Sequence, residues 1–337
     1  MAEEIMPYCF SDRQRIEQVA PGVYRIDLCM PQAIGPTNSY IFKADGIRDN
    51  GRSLIIDAGC NHPSTKQLFD EVLAQLEIDW NAVDIFITHF HWDHWAGLAQ
   101  IWHPGITVYA GIDSATQSNT PVMASEEVGD IERAVSERHM VGDTYDRHYW
   151  QPMTITGDVA VPLKRVHEGK VFQVGAYQLR VLETPGHDLN HVCLYDEAAG
   201  LFVAGDQMLY NQHPSIMMES EGDQLGVMLE TIKRLRSLNA SLVLCGHGGE
   251  GSNLLARCDQ VLDHYERQLA SFREVCVPGI TDPGELAYLS TQQPRRTPWE
   301  NRLIFGRRAL LAQTAAFLRH LVVIGELEDV YRITPLR

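Results

Sequence analysis

The sequence is short of lysine: five residues against 23 arginines. All basic residues together number 28, against 44 Asp and Glu, so the formal net charge is -16. That balance argues against general affinity for nucleic acid or anionic membrane, both of which need basic surface. No run of 18 apolar residues occurs, so no transmembrane helix is expected. The opening Met1-Ala2-Glu3-Glu4 is acidic where a signal peptide would be basic, and the expected location is cytoplasmic. The seven cysteines form no CxxC pair and are odd in number, which points to reduced, buried thiols rather than a disulfide frame. A GxSxG elbow, a P-loop and a dinucleotide fingerprint are all missing, as are internal repeats and low-complexity tracts. What remains, with 45% hydrophobic residues, is enough apolar material for one large or two ordinary domains.

The first half alternates short β-like runs with turns. Residues 23–28, 39–42, 53–57 and 83–88 read as strands, and 64–78 has the spacing of a covering helix. Further strands are expected at 171–174, 178–182, 201–204 and 241–244. Residues 113–155 are polar and read as a helical insertion. Strands, turns and intervening helices predict a layered α/β domain over 1–251 with two sheets and outer helices. After residue 252 the pattern turns helical, with an apolar stripe from Leu254 to Phe272. Thr281-Asp282-Pro283-Gly284-Glu285 reads as a helix start, and 310–324 as a third helix closed by Gly325. With a short strand at 330–333, residues 252–337 predict a small winged-helix-like domain.

The informative segment is Thr88-His89-Phe90-His91-Trp92-Asp93-His94, placed at the end of a buried strand. Side chains repeat every two residues in extended chain, so His89 and His91 face one side, and Asp93 and His94 turn back in the following loop. Three imidazoles and a carboxylate in six residues can supply parts of two adjacent metal sites. Nitrogen and oxygen donors suit Zn²⁺, and also Mn²⁺ or Fe²⁺. Three more strand ends each deliver one potential ligand beside glycine: Gly186-His187, Gly205-Asp206 and Gly246-His247-Gly248.

The series Asp57, His89-x-His91-x-Asp93-His94, His187, Asp206 and His247 resembles the metallo-β-lactamase-fold superfamily of hydrolases over roughly residues 19–250. The resemblance implies a four-layer αββα sandwich with metals at one edge. It implies that His89, His91 and His187 hold one ion, that Asp93, His94 and His247 hold a second, and that Asp206 and a water or hydroxide bridge them. Asp57 would orient a ligand histidine. The stretch His187-Asp188-Leu189-Asn190-His191 departs from the usual pattern; His191 is a candidate support for the ligands, alongside a plain packing role. The openings Ala20-Pro21-Gly22-Val23-Tyr24 and Pro36-Thr37-Asn38-Ser39-Tyr40 look like those of glyoxalase II-like, lactonase-like and endoribonuclease-like members. The C-terminal helices resemble the winged-helix extension of a β-lactamase-like-protein branch.

The reaction so implied is attack by a metal-bridging hydroxide on a small carbonyl substrate: a thioester, a lactone or another ester. Asp93 is the catalytic candidate, accepting a proton or orienting the nucleophile. Trp92, Met208, Tyr210 and His213 are candidate pocket walls; Tyr145, Tyr149 and Trp150 could form a lid, with packing at the sheet–helix interface the favoured role for Tyr145 and Tyr149. The cofactors expected are two divalent ions, zinc first, with manganese or iron as alternatives. The expected partner is a small molecule, not a membrane; nucleic acid is disfavoured and a homodimer is left open. Two alternatives stand beside this reading. Residues 291–337 carry a net +4 on a body of -20, which would suit an endoribonuclease or phosphodiesterase, although the same arginines can pair with acids of the protein. An iron-dependent dioxygenase of the same fold is the other.

Overall fold

The computed structural model describes residues 16–28, 30, 36–112, 126–141, 161–216, 222–276, 282–292, 296–302 and 304–327. The candidate lid residues Tyr145, Tyr149 and Trp150 and the strand expected at 330–333 lie outside them. The chain divides into two units. The first is drawn from Met1–Ser118, Gln151–Pro214 and Ser237–Arg257, and the second from Asn119–Trp150, Ser215–Arg236 and Cys258–Arg337. The insertion and a central segment therefore group with the C-terminal helices, so no single cut along the sequence separates the units.

The first unit is built on two sheets. One has seven strands in sequential order: β1 (Ile16–Ala20), β2 (Val23–Leu28), β3 (Thr37–Phe42), β4 (Ser53–Ile56), β5 (Val83–Phe86), β6 (Val108–Ala110) and β7 (Leu163–Arg165). Its first four strands run antiparallel and its last four parallel. The other has five strands: β8 (Val171–Val174), β9 (Tyr177–Glu183), β10 (Val192–Asp196), β11 (Leu201–Gly205) and β12 (Leu242–Cys245). They are antiparallel except for the parallel β11–β12 pair.

β3, β4, β10 and β11 are buried along their whole length, as strands covered on both faces must be. One face of the seven-stranded sheet packs on the five-stranded sheet through Tyr40, Phe42, Ile56, Phe86, Leu179, Val181, Leu194, Val203 and Leu244. Its other face packs on helices α1 (Pro63–Gln75), α2 (Trp92–Trp95) and α3 (Leu98–Ile101) through Ile41, Ile55, Ile85, Leu68, Phe69, Trp95 and Leu98. α1 starts where Pro63 presets the first turn and the His62 ring accepts from the Ser64 amide.

Among its described residues the second unit contains the α-helices α4 (Glu126–Arg138), α5 (Gln224–Leu235), the later part of α6 (Leu254–Val275), α7 (Pro283–Thr291) and α8 (Ile304–Val323). Asp282 caps α7 through the Gly284 amide, with Glu285 in the first turn, at the start the sequence marks. Trp299, fully buried, anchors the loop before α8 by donating to Ser136 Oγ at 3.0 Å. Arg307 closes that contact from α8, pairing with Glu132 of α4 at 3.2 Å. His320 of α8 reaches both carboxylate oxygens of Asp223 at 3.0 and 2.9 Å, and Asp223 in turn caps α5 through the Gly226 amide at 2.8 Å. Among the described residues no helix is long and apolar enough to cross a membrane, and the cysteines at 60, 193, 245, 258 and 276 are free thiols.

Candidate metal centre

Each candidate ligand lies just past the C-terminal end of a strand of the first unit. His89 and the α2 turn follow β5, His187 follows β9, Asp206 follows β11 and His247 follows β12. Parallel strands bring such ends to one sheet edge. The two sheets are tied there by Asn38 N–H donating to Gly246 O at 2.7 Å and Val192 N–H donating to Thr88 O at 2.8 Å.

Two ligand groups result. His89 Nε2 lies 3.1 Å from His91 Nδ1, which lies 2.9 Å from His187 Nε2. Asp93 Oδ2 lies 3.2 Å from His247 Nε2 and 3.6 Å from His94 Nε2. Asp206 stands between the groups: Oδ2 is 3.4 Å from His247 Nε2 and 3.7 Å from His187 Nε2, and Oδ1 is 3.6 Å from His94 Nε2. All seven side chains named from the sequence therefore meet in one place. Six of them are buried, and His91 is partly buried.

Around this cluster, hydrogen bonds fix which ring nitrogen carries the proton. Asp57 Oδ2 accepts from His94 Nδ1 at 2.8 Å, leaving Nε2 to face inward. The same carboxylate accepts from the Thr88 amide and hydroxyl at 2.8 Å each, and Thr88 Oγ1 lies 3.0 Å from His89 Nδ1. With its hydroxyl hydrogen given to Asp57, Thr88 accepts from His89. His247 Nδ1 donates to Pro36 O at 3.0 Å. Asp57 holds φ +60° to do this, a left-handed conformation that costs energy for a non-glycine residue. Glycine is required at 246: a Cβ there would sit 2.1 Å from Asp206 Oδ1 and 2.8 Å from His94 Cε1.

The charge balance is that of a site made for cations. Burial, reinforced by the neighbouring imidazoles, holds His89 well below its ordinary pKa, so the ring is a neutral donor. Burial also opposes ionisation of Asp93 and Asp206, but the facing His94 and His247 rings hold both carboxyls below the usual carboxylate range. Burial disfavours charge on His247 as well, yet Asp206 and Asp93 raise it well above an ordinary histidine. His94 Nε2 and Asp206 Oδ1 are buried without a hydrogen-bond partner among the described residues. Imidazole nitrogens 2.9–3.1 Å from one another, with the unpartnered His94 Nε2 and Asp206 Oδ1 beside them, fit divalent cations. Nearby thiols offer no competing nucleophile: burial pushes Cys60 and Cys245 up to about 12.

His191 is no member of either group. Its ring stacks on His89 at 5.0 Å and bonds Thr184 Oγ1 through Nδ1 at 2.9 Å. Burial keeps it neutral. Asp188 ties the loop, accepting from the Phe90 amide at 3.1 Å and the Asn190 amide at 2.5 Å. Of the expected pocket walls, Met208 is fully enclosed and Trp92 is buried, while Tyr210 and His213 are partly exposed. Tyr210 packs against Gly251 and the Arg257 guanidinium, 5.7 Å from its ring centre.

Three contributors escape the sequence reading. Thr88 wires Asp57 to His89; Thr37 Oγ1 reaches Asp93 Oδ2 at 3.4 Å; Asn38 Nδ2 donates to Cys245 O at 2.8 Å and Gly248 O at 2.7 Å, clamping the His247 turn. The available signal for two of them was Thr37-Asn38, polar residues opening a strand that is buried throughout.

The sequence model of the metallo-β-lactamase superfamily matches residues 34–247. The chain is 24% identical over 243 residues to an atrochrysone carboxyl ACP thioesterase of Emericella nidulans, covering 72% of this chain and 60% of that protein. It is 24% identical over 267 residues to the "Probable metallo-hydrolase YqjP" of Bacillus subtilis, covering 75% of this chain and 80% of that protein. The chain thus spans about three fifths of the thioesterase's length. In three dimensions it resembles the crystal structure of a metallo-beta-lactamase family protein from Thermus thermophilus, with a TM-score of 0.70 at 22% identity. That match covers 95% of this chain and 98% of the other. A beta-lactamase domain protein from Burkholderia ambifaria also gives 0.70, at 20% identity, covering 96% and 94%.

Proposed function

We propose, from the premise that this chain belongs to the metallo-β-lactamase superfamily, that it is a two-metal hydrolase of small carbonyl substrates, with acyl thioesters as the first class to test. The observation that carries this is the pair of ligand groups, His89–His91–His187 and Asp93–His94–His247, with Asp206 placed between them. The thioester preference takes its support from the ACP thioesterase among the relatives.

His89, His91 and His187 would hold one ion, and Asp93, His94 and His247 the other, with Asp206 shared. Bound there, the ions would supply Lewis acidity and a water of lowered pKa. The protein's own groups do the rest. Asp57 and Thr88 hold the proton on the outer nitrogens of His94 and His89, so that both inner nitrogens stay free to ligate. Thr37 donates to Asp93 Oδ2 and fixes that carboxylate against His247. Asp93, ionised, is the group able to take a proton from the attacking water. The partly exposed Tyr210 and His213 lie on the chain leaving β11 directly after Asp206 and are the pocket walls we favour.

Of the arginines in 291–337 that would serve the nuclease alternative, Arg307 is buried against Glu132 and so is turned away from a phosphate. Protein stripped with chelator and reloaded with zinc, manganese or iron should hydrolyse acyl thioesters, and His89→Ala should abolish turnover. Cleavage of single-stranded RNA by the reloaded protein, with thioesters inert, would overturn the reading; turnover of a sulfur substrate with oxygen uptake, in the iron form alone, would replace it with the dioxygenase.

A further inference from the structure

Arg296 and Arg302 line a cavity of about 310 Å³ in the helical unit, together with Gln268, Gly306 and Gln313. Both arginines are half-buried. Neither has a carboxylate partner among the described residues: Arg296 donates to Gln268 Oε1 at 3.3 Å, and Arg302 Nε donates to Thr297 O at 3.0 Å. This sets them apart from Arg138, Arg273 and Arg307 of the same unit, each of which meets an acid. The loop carrying them is pinned by the buried Trp299, so the two side chains are held on one cavity rather than left to swing into solvent.

Guanidinium stays protonated in proteins, so the cavity keeps two positive charges. Burial depresses the pKa of both, and Arg302 is further depressed by Arg296. Like charges brought together in a half-buried place cost free energy unless an anion joins them. Gly306 adds the first turn of α8, whose backbone amides lack helical acceptors and lie at the positive end of a 20-residue helix. Gln268 is oriented as an acceptor toward Arg296 because its amide nitrogen is engaged by His264 at 2.9 Å, and Gln313 supplies an uncharged polar wall.

We propose that this cavity binds a small anion bearing a phosphoryl or carboxylate group, held by Arg296, Arg302 and the first turn of α8. Its volume lies at the low end of ligand pockets, which suits a phosphate monoester or a short dicarboxylate rather than a polymer. Planar guanidinium forks match both oxyanion geometries, which is why the group chemistry, and not yet its source, is assigned. The site is independent of the metal ligands, all of which belong to the first unit.

The test is calorimetric titration of the full, metal-loaded chain with inorganic phosphate and, separately, succinate, at fixed ionic strength. Saturable binding of at least one of them is expected, weakened about ten- to a hundredfold in Arg296→Gln and in Arg302→Gln and unchanged in His89→Ala. Phosphate alone would assign a phosphoryl ligand, and succinate alone a carboxylate. Melting temperature supplies a second readout. Without anion, Arg302→Gln should melt no lower than the wild type, since it relieves a repulsion, and the wild type should gain from the anion that binds while the variant should not. Absence of binding to the wild type, binding indifferent to both arginine variants, or binding lost in His89→Ala would each overturn the proposal.

Discussion

His94 and Asp57 meet at 2.8 Å, both buried, and Asp57 serves a second ligand histidine by way of Thr88. One carboxylate thus sets the tautomer of His94 directly and of His89 through one hydroxyl. It does so from a left-handed backbone conformation at the end of β4. Removing the charge while keeping the shape should therefore loosen both ligand groups at once. Asp57→Asn is expected to lower zinc affinity about 10- to 100-fold, measured by competition with a chromogenic chelator. Thr88→Val should weaken only the group containing His89, and affinity unchanged in both variants would contradict this wiring.

Gly246→Ala tests the close approach at Asp206. Its backbone is not in the left-handed region, so alanine is tolerated conformationally. Its methyl would fall 2.1 Å from Asp206 Oδ1. The carboxylate must move by about 1 Å, and turnover is expected to fall on the order of 10²-fold with circular dichroism unchanged.

In the helical unit the buried Arg307–Glu132 pair should be costly to break and cheap to replace. Glu132→Ala leaves a buried guanidinium uncompensated, and a loss of about 3–5 kcal/mol is expected in urea unfolding followed by Trp fluorescence. The double change Arg307→Met with Glu132→Leu should recover most of it. A single variant as stable as the wild type would show that the pair carries no net energy.

Asp223 gives the same unit an acid limit. Burial alone would raise its pKa, but the bonds from His320 and the Gly226 amide prevail and hold it below the ordinary value of 3.8. A depressed carboxylate contributes stability that is present above the unfolded value and is lost as pH falls through the folded one. Asp223→Asn should therefore destabilise at neutral pH, and its difference from the wild type should shrink as the pH drops below about 3.8, read from melting temperatures across pH.

The metal ligands were legible because their chemistry is local in sequence. His89, His91, Asp93 and His94 sit in one six-residue motif, and His187, Asp206 and His247 each follow a β-run with an adjacent glycine. Most strands were legible through their runs or alternation of apolar residues. β1, β6 and β7 were not, β6 and β7 being only three residues long and β1 and β7 carrying charged residues, and β10 was hidden directly behind the His187–His191 turn. Thr37, Thr88 and Asn38 were not legible because their partners are far away in sequence, Asp57 for Thr88, Asp93 for Thr37 and the turn after β12 for Asn38, and nothing in a lone threonine announces the carboxylate it will meet. The arginines of 291–337 read as one basic tail, whereas the structure sorts them by partner: Arg307 to an acid, Arg296 and Arg302 to a cavity.

Whether two ions act together at this edge of the first unit is read by zinc titration of the chelator-stripped protein, with thioester turnover followed at each addition. Two equivalents per chain are predicted, with turnover rising on the second, and one equivalent each for His187→Ala and His247→Ala. Full turnover at one equivalent in the wild type, or two equivalents retained in both variants, would show that the two ions do not act together.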